Sequence, residues 1–251
     1  MFKHESVVLA LLVPAGAFLA LAAAPGGGKG GGKDEPEEVE LDEAEVFIEW
    51  NSTDGDFGIQ FFWDGDGWDR MRVVNSEGKV ALQVRARDNL QEQGLTEGAF
   101  ESVEPDPDEL SMEEFLERFP EGEYEFEGKT LEGENLEGET EFTHVIPAPP
   151  ANLWPAEGSV VSAALPLVAS FDAVTADIDG NTLEPELYEL VIEDMNDETL
   201  AFTIVLEGDL ANPSVTVPPE FLEPGSDYKL EVLVQEESHN RTITETKFTT
   251  N

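Results

Sequence analysis

Carboxylates crowd into three short turns of this chain, and carboxylate oxygens are the ligands that hard cations such as Ca²⁺ prefer. None of the turns matches an EF-hand loop, because Trp68 and Tyr188 stand where that loop needs an oxygen ligand. Aspartate also favours turns for conformational reasons, since its side chain bonds to nearby backbone. The sequence therefore predicts either calcium sites or ordinary turns. The candidate ligands are Asp54, Asp56, Asp64, Asp66, Asp69, Asp177 and Asp179, with Asn181 beside the last two.

A predicted hairpin in the first half concentrates positive charge. Two alternating segments flank the turn at residues 75–78. The register that points apolar side chains inward sets Val73 opposite Val80 and Met71 opposite Leu82. A slip by one residue would expose these side chains, so the alternation specifies which face is buried.

The outward face of this hairpin is then predicted to carry arginines beside tryptophan. One interpretation is a surface for an anionic partner, with Trp68 in cation–π contact with Arg85. A second is a glycan-binding face that adds the ring of Trp63, and a third is that the protein's own carboxylates neutralise the arginines. The candidate ligand-binding residues are Trp63, Trp68, Arg70, Arg72, Arg85 and Arg87.

Catalytic motifs find no support in the sequence. Cysteine is absent, which excludes disulfides, cysteine-bound zinc, iron–sulfur clusters and thiol catalysis. Neither His144 nor His239 accompanies a Gly-x-Ser-x-Gly motif, and no glycine-rich phosphate loop links a strand to a helix. We therefore expect no catalytic residues, no enzymatic activity, and no cofactor other than Ca²⁺.

The charge balance limits the classes of partner. The chain has 13 Lys and Arg residues against 56 Asp and Glu, a formal net charge of −43. Affinity for nucleic acid depends on cationic side chains, so neither nucleic acid nor an anionic membrane is an expected partner. Divalent cations and basic partners are favoured, and hydration alone is the alternative.

The N-terminus has the pattern of a secretory signal peptide. Lys3 precedes a largely apolar stretch that ends in small residues, and cutting after Ala22 satisfies the usual cleavage preference. The alternative is a retained membrane anchor, for which the stretch is borderline in length. We predict a signal peptide at 1–24, a glycine-rich acidic tether at 25–43, and a secreted, periplasmic or cell-surface protein that does not bind the membrane after cleavage.

The rest of the chain is predicted to form two tandem antiparallel β-sandwich domains, at 44–146 and 147–251, because short alternating segments recur between turn signals. A proline-rich linker at 147–150 separates them. In the first domain, the capping box from Ser111 to Glu114 predicts the start of one short helix.

The second domain resembles a fibronectin type III domain. The run Leu222-x-Pro224-Gly225-x-x-Tyr228 is similar to the segment of that family that forms a tyrosine corner, which implies that the Tyr228 hydroxyl bonds upstream backbone. Phe171 stands where the family commonly has tryptophan, and a degenerate copy of the corner motif places Tyr124 in the first domain. The combination is similar to exported bacterial proteins. It implies a non-enzymatic interaction or structural protein that contacts a protein or glycan at the cell surface, or else a calcium-stabilised adhesion protein.

Overall fold

A computed structural model describes residues 38–105, 108–197, 199–208 and 210–251. The front half contains strands β1 Glu38–Glu40, β2 Glu43–Asn51, β3 Asp56–Val74, β4 Val80–Arg85, β5 Leu95–Glu101, β6 Gly122–Thr130 and β7 Asn135–Phe142, with helices α1 Asp88–Gln93 and α2 Met112–Arg118. The back half contains β8 Ala151–Trp154, β9 Ser159–Val161, β10 Leu167–Asp172, β11 Leu187–Asp194, β12 Ala201–Glu207, β13 Ser214–Val217, β14 Asp227–Gln235 and β15 Arg241–Thr250, with a 3-10 turn at Pro219–Phe221. Within these ranges, no helix has the length and hydrophobicity that crossing a membrane requires.

The beginning of the described chain is already a strand. The predicted signal peptide and tether residues 25–37 lie outside the described residues. Glu38–Glu40 pairs in parallel with β7, and Val39 packs against the front core. The prediction of a tether that extends to residue 43 is therefore wrong at its end, because backbone pairing with β7 and the packing of Val39 hold this segment at the sheet edge.

The front half is organised by one long strand, β3. Its first part pairs with β2 and β5, and its second part pairs with β4 and β6. Alternating residues from both parts enter one core, where Ile59 and Val73 are at most 1% exposed. A single strand thus contributes to both layers over that core.

The two helices lie beside the strands of the front half. Helix α2 has the predicted capping box, because the Ser111 hydroxyl accepts the N–H of Glu114 while the Glu114 carboxylate accepts the N–H of Ser111. Its buried Phe115 packs edge-on against Phe57, with ring centroids 4.9 Å apart. This predicted helix is confirmed. Helix α1 was not expected, since its six residues bury no side chain and leave no apolar period in the sequence.

The back half is a β-sandwich. The three-stranded sheet β13–β10–β8 faces the strands β12–β11–β14–β15, and their inward side chains form a second core around Tyr188, Leu190 and Val232. This is the architecture of immunoglobulin-like and fibronectin III-like domains. The predicted all-β sandwich fold is confirmed.

The tyrosine corner is present at the start of β14. The Tyr228 hydroxyl accepts the N–H of Glu223 at 2.8 Å and lies 3.5 Å from the carbonyl oxygen of Phe221, to which it donates. The predicted role of Tyr228 is confirmed. The second corner predicted at Tyr124 is wrong, because within the described residues its buried hydroxyl has no hydrogen-bond partner.

The two halves share one sheet. Strand β15 pairs in parallel with β2, with Arg241 beside Glu49 and Ile243 beside Asn51, so twelve strands form a single sheet. Pro147, the first residue of the predicted linker, contacts this joint, since the Thr242 hydroxyl donates to its carbonyl oxygen at 2.7 Å. The described residues form one compact unit with two hydrophobic cores, and the domain limits at 146–147 stay a prediction.

Candidate functional site

The arginine-bearing hairpin forms with a register that differs from the predicted one. Val73 lies opposite Leu82 and Met71 opposite Val84, two residues beyond the predicted pairing. One residue of this difference comes from a longer turn, because the Asn75 side chain accepts the N–H of Lys79 at 2.9 Å and keeps Lys79 within it. The other comes from a shift in the pairing of β3 with β4 between Val73 and Val74. A shift of two residues preserves the faces, and the arginines therefore still point outward as predicted.

Three cations lie side by side on that outward face. Arg70 is directly opposite Arg85 on β4 and directly opposite Lys129 on β6. We call Lys129, Arg70 and Arg85 the arginine row. Both arginines are exposed, and in the described chain neither makes an ion pair, whereas the neighbouring Arg72 pairs with Glu127. The expected internal neutralisation thus accounts for Arg72 but not for the row.

Trp63 and Trp68 point into the front core and not outward. Each is 0% exposed, so neither indole can stack on a sugar ring. Trp63 lies over Gly98, where an added Cβ would come within 2.4 Å of the ring, and it stacks on Phe100 at 5.1 Å. The glycan site built on these two rings is therefore wrong, and so is the cation–π contact with Arg85.

The inward turn of Trp68 has a local cause. The pairing of β3 with β6 shifts by one residue between Trp68 and Arg70, which is a β-bulge at Asp69. A bulge inserts one residue on one strand and so reverses which side chains face inward beyond it. Trp68 therefore joins the core face of Met71, although strict alternation would group it with the arginines.

The aspartate turns use their carboxylates to hold backbone. The Asp177 carboxylate accepts the backbone N–H of Asp179 at 3.0 Å and that of Asn181 at 2.8 Å. It also accepts a hydrogen bond from the Asn181 side chain, which makes the largest contribution to lowering the pKa of Asp177, and the backbone bonds lower it further. Asp69 accepts from Gln91 at 2.9 Å. Turn formation explains the contacts of Asp177, and the Asp69 contact joins β3 to α1; calcium at the candidate ligands stays a prediction. The exposed Arg87 precedes α1 and likewise stays a candidate.

One buried side chain bonds to three segments at the joint between the halves. Asn240 is 0% exposed. Its side-chain oxygen accepts the N–H of Ile48 at 2.7 Å, and its side-chain nitrogen donates to the carbonyl oxygens of Thr143 and Val145, each at 3.0 Å. Strand β2, the end of the front half and the start of β15 therefore meet at a single amide.

Beside this joint, several charged side chains are buried on the face of the sheet that carries Phe47. The guanidinium carbon of Arg241 lies 4.2 Å from the centroid of the Phe47 ring, a cation–π contact. Burial lowers the pKa of Arg241, against the opposing effect of four nearby glutamates. Burial also raises the pKa of Glu189 to about 7, and Arg241 opposes that shift.

Three glutamates converge on the same face, and we call them the acidic triad. Glu49 comes from β2, Glu101 from the end of β5, and Glu104 from the segment that follows it; one oxygen from each lies within 4.8 Å of the other two. In the described chain this is the single cluster of three such ligand groups. Burial first, and then neighbouring carboxylates, raise the pKa of Glu104 to about 7.

Sequence reasoning missed the acidic triad because its members are far apart in the chain. One signal was present: Phe47 lies between Glu45 and Glu49 at alternate positions of β2. An aromatic ring between glutamates on one face of a strand indicates that other parts of the protein cover that face. That signal identifies a buried glutamate but not the residues it meets.

The two described histidines make structural contacts. The Nε2 atom of His144 donates to the carbonyl oxygen of Phe119 at 2.8 Å, and the Nδ1 atom of His239 lies 3.5 Å from the Glu45 carboxylate. The first contact joins the segment after β7 to the end of α2, and the second joins the loop before β15 to β2.

No protein-family model and no curated protein sequence matches the chain. Among solved structures it is similar to the FN1–FN3 domains of chicken CNTN1, with 11% identity over 86% of this chain and 65% of that chain, at a TM-score of 0.38. It is also similar to a tetra-tandem repeat in the extending region of a large adhesion protein, with 12% identity over 83% and 50% of the two chains and a TM-score of 0.31. A third is a 1.5-MDa bacterial ice-binding adhesin, with 14% identity over 85% and 65% and a TM-score of 0.28. The chain covers less than two thirds of each, and the fold assignment stands on the strand arrangement described above.

Proposed function

We propose that this chain is a non-enzymatic interaction or structural protein of the cell exterior that contacts an anionic partner through its arginine row. The observation that carries the proposal is the row itself. Like charges directly opposite each other on neighbouring strands destabilise a sheet. Three cations side by side, in a chain with a net charge of −43, are best explained by a partner that neutralises them.

The surrounding acidity supports selectivity. Exposed carboxylates repel an anionic partner from most of the surface, and at physiological salt this repulsion is screened beyond about 8 Å. A partner that reaches the arginine row therefore meets local attraction. Charge complementarity of this kind contributes to specificity and to the rate of association more than to affinity alone.

The shared sheet supports a structural role as well. Because β2 and β15 pair within one sheet, we expect the front and back halves to move together. An extracellular spacer or adhesion module needs this property to hold a contact surface at a fixed place. The fibronectin III-like back half would then support the front half that carries the row.

Binding arrays test the contact surface. The full chain and two variants are applied to arrays of sulfated, sialylated and neutral glycans and of acidic peptides. We expect salt-sensitive binding to an anionic ligand, lost in Arg70→Ala/Arg85→Ala and retained in Arg118→Ala, which removes an exposed arginine elsewhere. The proposal fails if no anionic ligand binds, or if the double variant binds as well as the unchanged protein.

Export is tested separately. Fractionation of expressing cells should find the protein outside the cytoplasm, and N-terminal sequencing should find a start close to residue 23. Recovery of the intact chain from the cytoplasm would contradict an exterior location.

A further inference from the structure

We propose that the acidic triad, Glu49, Glu101 and Glu104, binds a calcium ion, with the side-chain amide of Gln60 as a fourth ligand. This site is independent of the arginine row and of the aspartate turns. It lies on the face of the sheet that carries Phe47, close to the pairing of β2 with β15.

The distances of the triad suit Ca²⁺. Three oxygens that are mutually within 4.8 Å always share a point no more than about 2.8 Å from each, close to the Ca–O distance of about 2.3–2.6 Å. Small side-chain rotations complete the contact. The ligands come from a strand, a strand end and an irregular segment, and such a flexible set suits Ca²⁺ better than Mg²⁺, which demands near-octahedral geometry.

Gln60 provides a second, independent observation. It is 4% exposed, and within the described residues its amide nitrogen has no hydrogen-bond partner. It lies directly opposite Glu101 on the same sheet face, next to the position that faces Glu49. A buried amide without a partner costs about 1–3 kcal/mol. Turning the amide over would put its oxygen in the place of that unpaired nitrogen, and an amide oxygen, unlike an amide nitrogen, is a ligand that Ca²⁺ accepts.

Gly58 leaves the space in which the triad meets. It faces Glu49 across the β2–β3 ladder, and a Cβ there would lie 3.1 Å from the Cγ atom of Glu104. The Glu104 side chain therefore passes over the bare backbone of β3. Ser102 holds the same segment in place, because its hydroxyl accepts the N–H of Ile59 at 3.1 Å.

The electrostatics of the triad call for a cation. Glu49 is 4% exposed, so its carboxyl group is largely shielded from solvent. Ionisation of all three carboxylates without a counter-charge would place about three negative charges within contact distance. A divalent ion replaces that repulsion by attraction and joins the end of β5 to β2.

The test compares calcium responses of matched variants. The full chain, freed of metal with a chelator, is titrated with CaCl₂ or MgCl₂ at constant ionic strength while the melting temperature is followed. For the unchanged protein we expect a rise of roughly 5 °C or more at calcium concentrations about a hundredfold above Kd, and a smaller rise with magnesium. Glu101→Gln/Glu104→Gln should show no calcium-specific rise, whereas Glu92→Gln/Glu97→Gln, which removes the same charge from exposed positions, should respond like the unchanged protein.

A direct binding measurement separates loss of the site from loss of folding. Equilibrium dialysis with ⁴⁵Ca²⁺ should show one fewer tight site in Glu101→Gln/Glu104→Gln than in the control variant. Without metal, this variant should melt at or above the temperature of the unchanged protein, because repulsion has been removed. Equal calcium binding and equal shifts in both double variants, or equal effects of calcium and magnesium, would overturn the proposal. Neither result bears on the arginine row.

Discussion

Replacing Asn240 by alanine should weaken the attachment of the front half to the back half. The side chain is fully buried and lies where β2, residues 143–145 and β15 meet. Alanine removes every side-chain hydrogen bond at this point and adds no charge. The variant therefore tests whether the shared sheet makes the two halves one cooperative unit.

The magnitude follows from the hydrogen bonds that are lost. The N–H of Ile48, which is 0% exposed, would have no acceptor in place of Asn240, and an unpaired buried donor costs about 1–3 kcal/mol. The carbonyl oxygens of Thr143 and Val145 each lose one bond, worth roughly 0.5–1.5 kcal/mol. The expected total is about 2–6 kcal/mol, a large part of the roughly 5–15 kcal/mol typical of a folded protein.

Urea unfolding followed by two probes measures this effect. Trp50, Trp63 and Trp68 belong to or pack on the front core, so tryptophan fluorescence reports mainly on that half, whereas far-ultraviolet circular dichroism reports on the strands of both. We expect coincident curves for the unchanged protein. In Asn240→Ala the midpoint should fall, and the two curves should separate.

A matched control is Asn181→Ala, which removes an exposed amide bonded to Asp177. We expect it to change the free energy of unfolding by about 0.5 kcal/mol or less. If Asn240→Ala shifts the midpoint no more than this control, the joint does not depend on that amide. If the two probes already disagree for the unchanged protein, the halves are not one cooperative unit.

Two further substitutions test the back half. Tyr228→Phe removes the hydroxyl that accepts the N–H of Glu223, and we expect the free energy of unfolding, measured with heat or urea, to fall by about 1–2 kcal/mol. A fall of less than about 0.3 kcal/mol would show that the corner bond is not stabilising. Glu189→Gln removes a carboxyl whose pKa is raised to about 7 by burial. A raised pKa in the folded state gives stability that is present below about pH 4.5 and lost as the pH rises through about 7. The free energy of unfolding of Glu189→Gln should therefore rise relative to that of the unchanged protein by about 2–3 kcal/mol between pH 5 and pH 8. Parallel pH profiles for the two proteins would refute this.

Much of the fold follows from local patterns in the sequence. The capping box of α2 and the tyrosine corner at Tyr228 were predictable because each is a short motif whose hydrogen bonds join residues at most seven apart in the chain. Alternation of apolar and polar residues predicted most strands, because side chains alternate across a strand. Charge and the absence of cysteine likewise depend on composition alone.

The position of Trp68 shows where such patterns fail. Alternation placed it beside the arginines, but a bulge at Asp69 turned it into the core. A bulge depends on how β3 fits against β6, some 60 residues away in the chain, and on the volume of the core that the indole fills. No local pattern in the sequence carries that information.

The arginine row marks the boundary between the two kinds of information. The sequence by itself determined that arginines share an outward hairpin face, because that follows from alternation. The tertiary structure alone decided that Lys129 completes the row, that β2 pairs with β15, and that Glu49 meets Glu101 and Glu104. These contacts join residues from distant parts of the chain, and their free energy depends on burial and register, which exist only once the sheet has formed.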